Sequence, residues 1–156
     1  MNSALEQLAD TGVVRREPMN GLEYHGLLAS GRSRLSDAAR TELSKESRFD
    51  LAYNASHALC LAALRRRGYR SSQRYVVFQV LSHTLGLGPE VWRVLDKAHR
   101  LRNAGEYEGF LDVDERLLEE VIAAANRELE ELERCSVRNS PRPPASSVPP
   151  LLRASC

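Results

Sequence analysis

The 156-residue chain lacks most of the short patterns that announce a chemistry. Its three cysteines, Cys60, Cys135 and Cys156, share no spacing pattern, and an odd, scattered count is not a disulfide framework. A reducing cytoplasm is the expected address. No stretch approaches the ~18 consecutive apolar residues of a membrane span. The opening "MNSALEQLADTGVVRREP" has no apolar leader core, so no membrane association is expected. The four histidines, His25, His57, His83 and His99, lack the close-spaced partners that zinc sites use. There is no G-x-x-x-x-G-K-[ST] loop, no G-x-G-x-x-G and no G-x-S-x-G elbow. The Glu-rich C-terminal region carries none of the Glu-x-x-His pairs of di-iron bundles. Neither a metal nor a cofactor is expected, and no internal repeat is present.

Net charge is also nearly absent, at +1, and names no partner. Its distribution says more. Nine Lys/Arg and two acids lie from Arg65 to Arg102, and eleven acids with two arginines from Glu106 to Glu133. Such blocks are solvated helix faces, or a basic anion-binding surface beside an acidic docking surface.

What the chain has is helical periodicity. Ser3 with Glu6, and Asn20 with Glu23, have the spacing of capping boxes. The stripe Tyr24, Leu28, Leu35, Ala39 and Leu43 follows the second box. A helix opened by Ser47 and Asp50 is apolar on much of its circumference and is the expected central helix, stopped by Gly68. "YVVFQV" is β-branched and aromatic, but no second strand is evident to pair with it, so it reads as helix. Pro89 suits the first turn of another helix. Asp112 with Glu115 caps the last, with Leu118, Val121, Ile122, Ala125, Leu129 and Leu132 as its stripe. The chain is therefore expected to be all-α, an antiparallel up-and-down bundle of four or five helices. Residues 1–19 read as a short helix and linker, 20–134 as the bundle, and 135–156 as a disordered Pro/Ser-rich tail.

Two stretches carry chemistry. "RRRGYRSSQRY", Arg65 to Tyr75, interleaves arginines with tyrosines, which suits phosphate and base contacts through Arg70 and Arg74, or a charged helix end. "HRLRNAGEYEG", His99 to Gly109, sets Arg102 beside Asn103 and five residues before Tyr107. On a continuous helix Arg102 and Tyr107 would lie about 140° apart. A break at Gly105 would let a guanidinium, an amide and a phenol meet and hold a phosphate.

This second stretch resembles the motif of HEPN domains, the helical family named for higher eukaryotes and prokaryotes nucleotide-binding. The family pattern is an arginine, a polar residue, then a histidine four to six positions past the arginine. Arg102 and Asn103 match its first two positions, and Tyr107 stands where the histidine belongs. "RFDLAYNASHALCLAALRRRGYR" is similar to the family's second long helix, and the likeness spans about residues 20–134. The resemblance implies a homodimer with two motifs lining one cleft. It also implies a possible nucleotidyltransferase or toxin–antitoxin partner, and metal-independent ribonuclease activity where the histidine is kept. Here a phenol of pKa ~10 replaces an imidazole of pKa ~6.5. The expectation is binding of a nucleotide, RNA or partner through Arg102, Asn103, Tyr107, Arg70 and Arg74, without efficient cleavage. Two alternatives stand beside it. One is a ribonuclease using Arg102 with Tyr107 or His99, which lies three residues before Arg102 on the same helical face. The other is a structural bundle in which Arg102 pairs with acids of the last helix.

Overall fold

Local signals set most helix ends in the computed structural model, which describes residues 3–109 and 112–138, and of 106–108 and 136–138 only the backbone. Ser3 accepts the Glu6 N–H at 3.2 Å and opens α1 (Ala4–Asp10). Asn20 accepts the Glu23 N–H at 3.1 Å and opens α2 (Gly21–Ala38). The long α3 (Lys45–Arg66) starts one turn earlier than Ser47, on a Ser44 cap, and stops at Gly68 with φ +87°. "YVVFQV" is helical, within α4 (Arg74–Gln79) and the turn into α5 (Leu81–Thr84). Pro89 opens α6 (Pro89–Glu108). The last helix, α7 (Glu115–Arg138), is capped by Asp114 rather than Asp112: Asp114 Oδ1 accepts the Arg116 N–H at 3.1 Å. The helix runs to Arg138, beyond the expected boundary at 134. The rest of the proposed tail, 139–156, lies outside the described residues.

Cross-helix pairs fix the directions. Glu23 meets Arg65, Gly31 meets Leu59, and Arg48 reaches the Ala38 carbonyl, so α2 and α3 run antiparallel. Tyr53 meets His99 and Asp50 meets Arg102, so α6 also opposes α3. Arg127 reaches back to Glu90, so α7 reverses again. The four long helices thus alternate in direction, with the short α1 before them, the short α4 and α5 between α3 and α6, and α3 buried at the centre. The chain is mostly helical, as expected.

Small residues let α3 sit there. Ala52, Ala55, Ala62 and Ala63 are fully buried. At Gly31 of α2, an added Cβ would lie 2.6 Å from Leu59 Cδ2 and 2.7 Å from its Cγ, and Leu59 has no room to retreat. Gly31→Ala is therefore expected to destabilise the fold by about 1–2 kcal/mol despite alanine's better helix propensity. A denaturant midpoint equal to or above wild type would contradict this close approach.

The N-terminal segment is not a linker. Leu5 and Val14 are buried in the main core. A short strand β1 (Arg15–Arg16) pairs antiparallel with β2 (Tyr69–Arg70), placing Arg15 opposite Arg70. Two residues, both exposed, are too short a run to read as a strand, so only the tertiary pairing makes it one. Cys60 is free and buried, whereas Cys135 is disulfide-bonded. A single bridge is more than the sequence reading allowed for. No described helix is long and apolar enough to cross a membrane.

Candidate anion and aromatic site

Polar side chains stand on one stripe of an otherwise apolar α3. Asp50, Tyr53, Asn54 and His57 have the i, i+3, i+4, i+7 spacing of a single helix face. The antiparallel α6 sets His99, Arg102 and Asn103 against that stripe, and the first turn of α4 adds Arg74 and Tyr75.

Two arginines from different helices converge on one ring. The Arg102 guanidinium carbon lies 4.9 Å from the Tyr53 ring centroid, and that of Arg74 lies 5.5 Å from it. Both distances are within cation–π range. The Tyr53 ring is fully buried, against Phe49 and Phe78. Arg102 Nη1 donates to Asp50 Oδ1 at 2.6 Å, and Arg74 Nη1 to Asn54 Oδ1 at 3.0 Å. Arg74 pairs with no carboxylate among the described residues.

His99 is held from both sides. Its Nδ1 lies 2.8 Å from the Tyr53 hydroxyl, and its Nε2 lies 3.2 Å from Asn103 Nδ2. With the Asn103 amide donating, Nδ1 carries the proton and donates to the phenol oxygen. His57 packs edge-on against Phe78. Burial, then the charges of Arg74, Arg102 and Arg34, with His99 last, push its pKa down to about 4. The charges that lower it include three arginines, from α2, α4 and α6.

Four of the residues singled out in the sequence come together here: His99, Arg102, Asn103 and Arg74. Arg70 does not. It is ion-paired with Glu17 and Glu23 at the far end of α3, beside Arg65. From Asp50 to Arg65 is fifteen residues of helix, about 22 Å. The break expected at Gly105 is also absent. Gly105 is buried, the helix runs on to Glu108, and the chain turns only at Gly109, φ +83°. The backbone therefore leaves Arg102 and Tyr107 about 140° apart around one helix. The Tyr107 side chain lies outside the described residues. Arg102 pairs with Asp50 of α3, a partner the structural reading did not expect.

The sequence reading missed Asp50, Tyr53, Asn54 and His57 as site residues. Their signal was present as four polar groups at one-face spacing along α3, but Asp50 read as a helix opener and His57 as one of four scattered histidines. Asp50 also lines an open depression of about 530 Å³ with Leu43, Ser44, Glu46, Ser47 and Leu51. Two carboxylates and no cation make that depression unsuited to an anion. Among the described residues no three His, Cys, Asp or Glu side chains gather as a metal would require. No family model, curated protein or solved structure matches this chain.

Proposed function

We propose that the chain is a HEPN-like binding module that holds a phosphate group of RNA or of a nucleotide between Arg74 and Arg102, without efficient cleavage. The observation that carries the reading is the convergence of two guanidiniums from α4 and α6 on one buried ring. Arg74 faces no described carboxylate, and Asp50, an acid on Arg102, is half exposed. An arriving phosphate can displace Asp50 toward water at small cost, because a solvated ion pair contributes little. It then gains charge-assisted bonds from a planar, always-charged fork. The homodimer and a nucleotidyltransferase-like or toxin–antitoxin partner belong to this reading through the sequence resemblance alone. A single monomeric species in sedimentation at micromolar concentration would count against the dimer.

RNA incubated with the protein in EDTA should stay intact. Binding should weaken with salt, and should be lost in both Arg74→Gln and Arg102→Ala. A bound phosphate would offset the cations around His57, so its pKa should rise from about 4 on binding, read by imidazole NMR shifts. RNA affinity unchanged by both arginine substitutions would remove the site.

One observation favours a second reading. His99 supplies beside Arg102 the imidazole that the Tyr107 position lacks. A metal-independent ribonuclease would use it as general base. Both its ring nitrogens are engaged, to Tyr53 and Asn103, so one partner must leave first, and binding is the better-supported function. EDTA-resistant cleavage that disappears in His99→Ala would reverse that order.

A further inference from the structure

Arg74 and Tyr75 are neighbours in the first turn of α4, and their side chains diverge. Arg74 reaches α3, at Asn54 and over Tyr53. Tyr75 reaches α6, where its ring meets Trp92 edge to face at 5.4 Å and 75°, and lies tilted on His99 at 5.9 Å. His99 in turn stacks beside Tyr53 at 6.3 Å. A relay of rings therefore runs from the core to the surface, and its outer member, Tyr75, is 41% exposed. Among the described residues the other exposed large apolar ones, Val13, Met19 and Leu22, belong to the N-terminal segment and the start of α2.

Resting on the phosphate reading, we propose that Tyr75, braced by Trp92, is the surface on which an unpaired nucleobase stacks while its phosphate is held at Arg74 and Arg102. A nucleotide carries a base and a phosphate on one ribose, and here an open aromatic ring and a guanidinium are adjacent in the chain. Every base has a π-face, so a ring beside cations binds single strands with little regard to sequence. In a duplex those faces are covered by neighbouring pairs. Tyr75 would therefore select single strands over duplex, which the arginines alone cannot do, since both forms present phosphates. Trp92 and His99 fix the ring in advance, so little side-chain freedom is lost on stacking.

Trp92 is the sole tryptophan of the chain, and it touches Tyr75, so its emission reports on the platform. The protein is titrated with ribose 5-phosphate, with UMP and AMP, and with an oligonucleotide in single-stranded and duplex form. Both nucleotides should bind about tenfold tighter than ribose 5-phosphate and should quench Trp92. Tyr75→Leu should erase that advantage while ribose 5-phosphate binding persists, and Tyr75→Phe should keep it. Thermal unfolding of each variant confirms that the fold is intact. If ribose 5-phosphate binds but the nucleotides gain nothing, or if Tyr75→Leu retains the gain, the stacking proposal is overturned and the phosphate site stands. Equal affinity for duplex and single strand also overturns it. If none of the compounds binds, both readings fall together.

Discussion

Arg65→Met is expected to destabilise the protein by about 3–5 kcal/mol, the usual result of removing one partner from a buried ionic network. Arg65 is 1% exposed at the end of α3. Its Nε donates to Glu23 Oε1 at 2.5 Å, and its Nη2 to the Pro18 carbonyl at 2.7 Å. Nη1 serves the carbonyls of Glu17 at 2.8 Å and Tyr69 at 3.3 Å. Methionine fills much of the volume but donates nothing, so three backbone carbonyls lose their donor and two carboxylates lose a charge partner. The segment that carries α1 and β1 is tied down by these bonds, so its amides should lose exchange protection before those of α2 and α7. Total stability for a domain is about 5–15 kcal/mol, so the midpoint of thermal unfolding should fall by about 10 °C or more. A fall within about 2 °C would show the network to be dispensable.

The same network predicts acid sensitivity. Hydrogen bonds from Arg65 and Arg70 hold the Glu23 carboxyl below its ordinary range, and Arg70 does the same for Glu17. Stability from these groups is present above the ordinary carboxylate pKa and is lost as pH falls through the lowered values.

Glu128→Gln is expected to stabilise the protein, and the gain should grow with pH. Glu128 is completely buried where α7 crosses α3; the Ser56 hydroxyl donates to its Oε1 at 2.6 Å and the Cys60 thiol to its Oε2 at 3.2 Å. Burial outweighs both hydrogen bonds and pushes the carboxyl up to about 8, from 4.5. The folded state thus binds this proton more tightly than the unfolded state. The associated stability is complete below the unfolded value and is lost as pH climbs from about 4.5 to about 8. Each pH unit in that window costs about 1.4 kcal/mol, so by pH 8 the loss reaches several kcal/mol. Glutamine keeps the shape and the acceptor for Ser56 but never ionises. His57 acts in the opposite sense, because its lowered pKa removes stability as pH falls from its ordinary 6.5 toward about 4. Subtracting wild type from E128Q at each pH cancels that contribution. A difference in unfolding free energy that stays constant from pH 5 to pH 9 would mean Glu128 is not buried in the acid form.

Residues near in sequence were legible, and residues joined through space were not. Glu128 falls on the spacing of Leu118, Val121, Ala125 and Leu132, yet an acid within an acidic block reads as solvated until α3 is seen covering it. Arg70 and Arg74 both read as ligand-binding cations. Which is taken up by structure depends on where the acids land: Glu17 and Glu23 close on Arg70, while Arg74, four residues on, meets an amide. Gly105 and Gly109 carry the same local signal, and burial keeps the first helical while the second turns left-handed.

By itself the sequence determined that the chain is helical, where α1, α2 and α6 begin, that Gly68 stops α3, and that α3 is central. Caps, left-handed glycines and apolar periodicity act within a few residues, so they can be read without a partner. Only the tertiary structure decided that the N-terminal segment joins the core, that α6 runs unbroken past Gly105, and that Asp50, Tyr53, Asn54 and His57 face Arg74 and Arg102. Those outcomes follow from antiparallel α3 and α6 meeting in one register, and register is a property of two helices together.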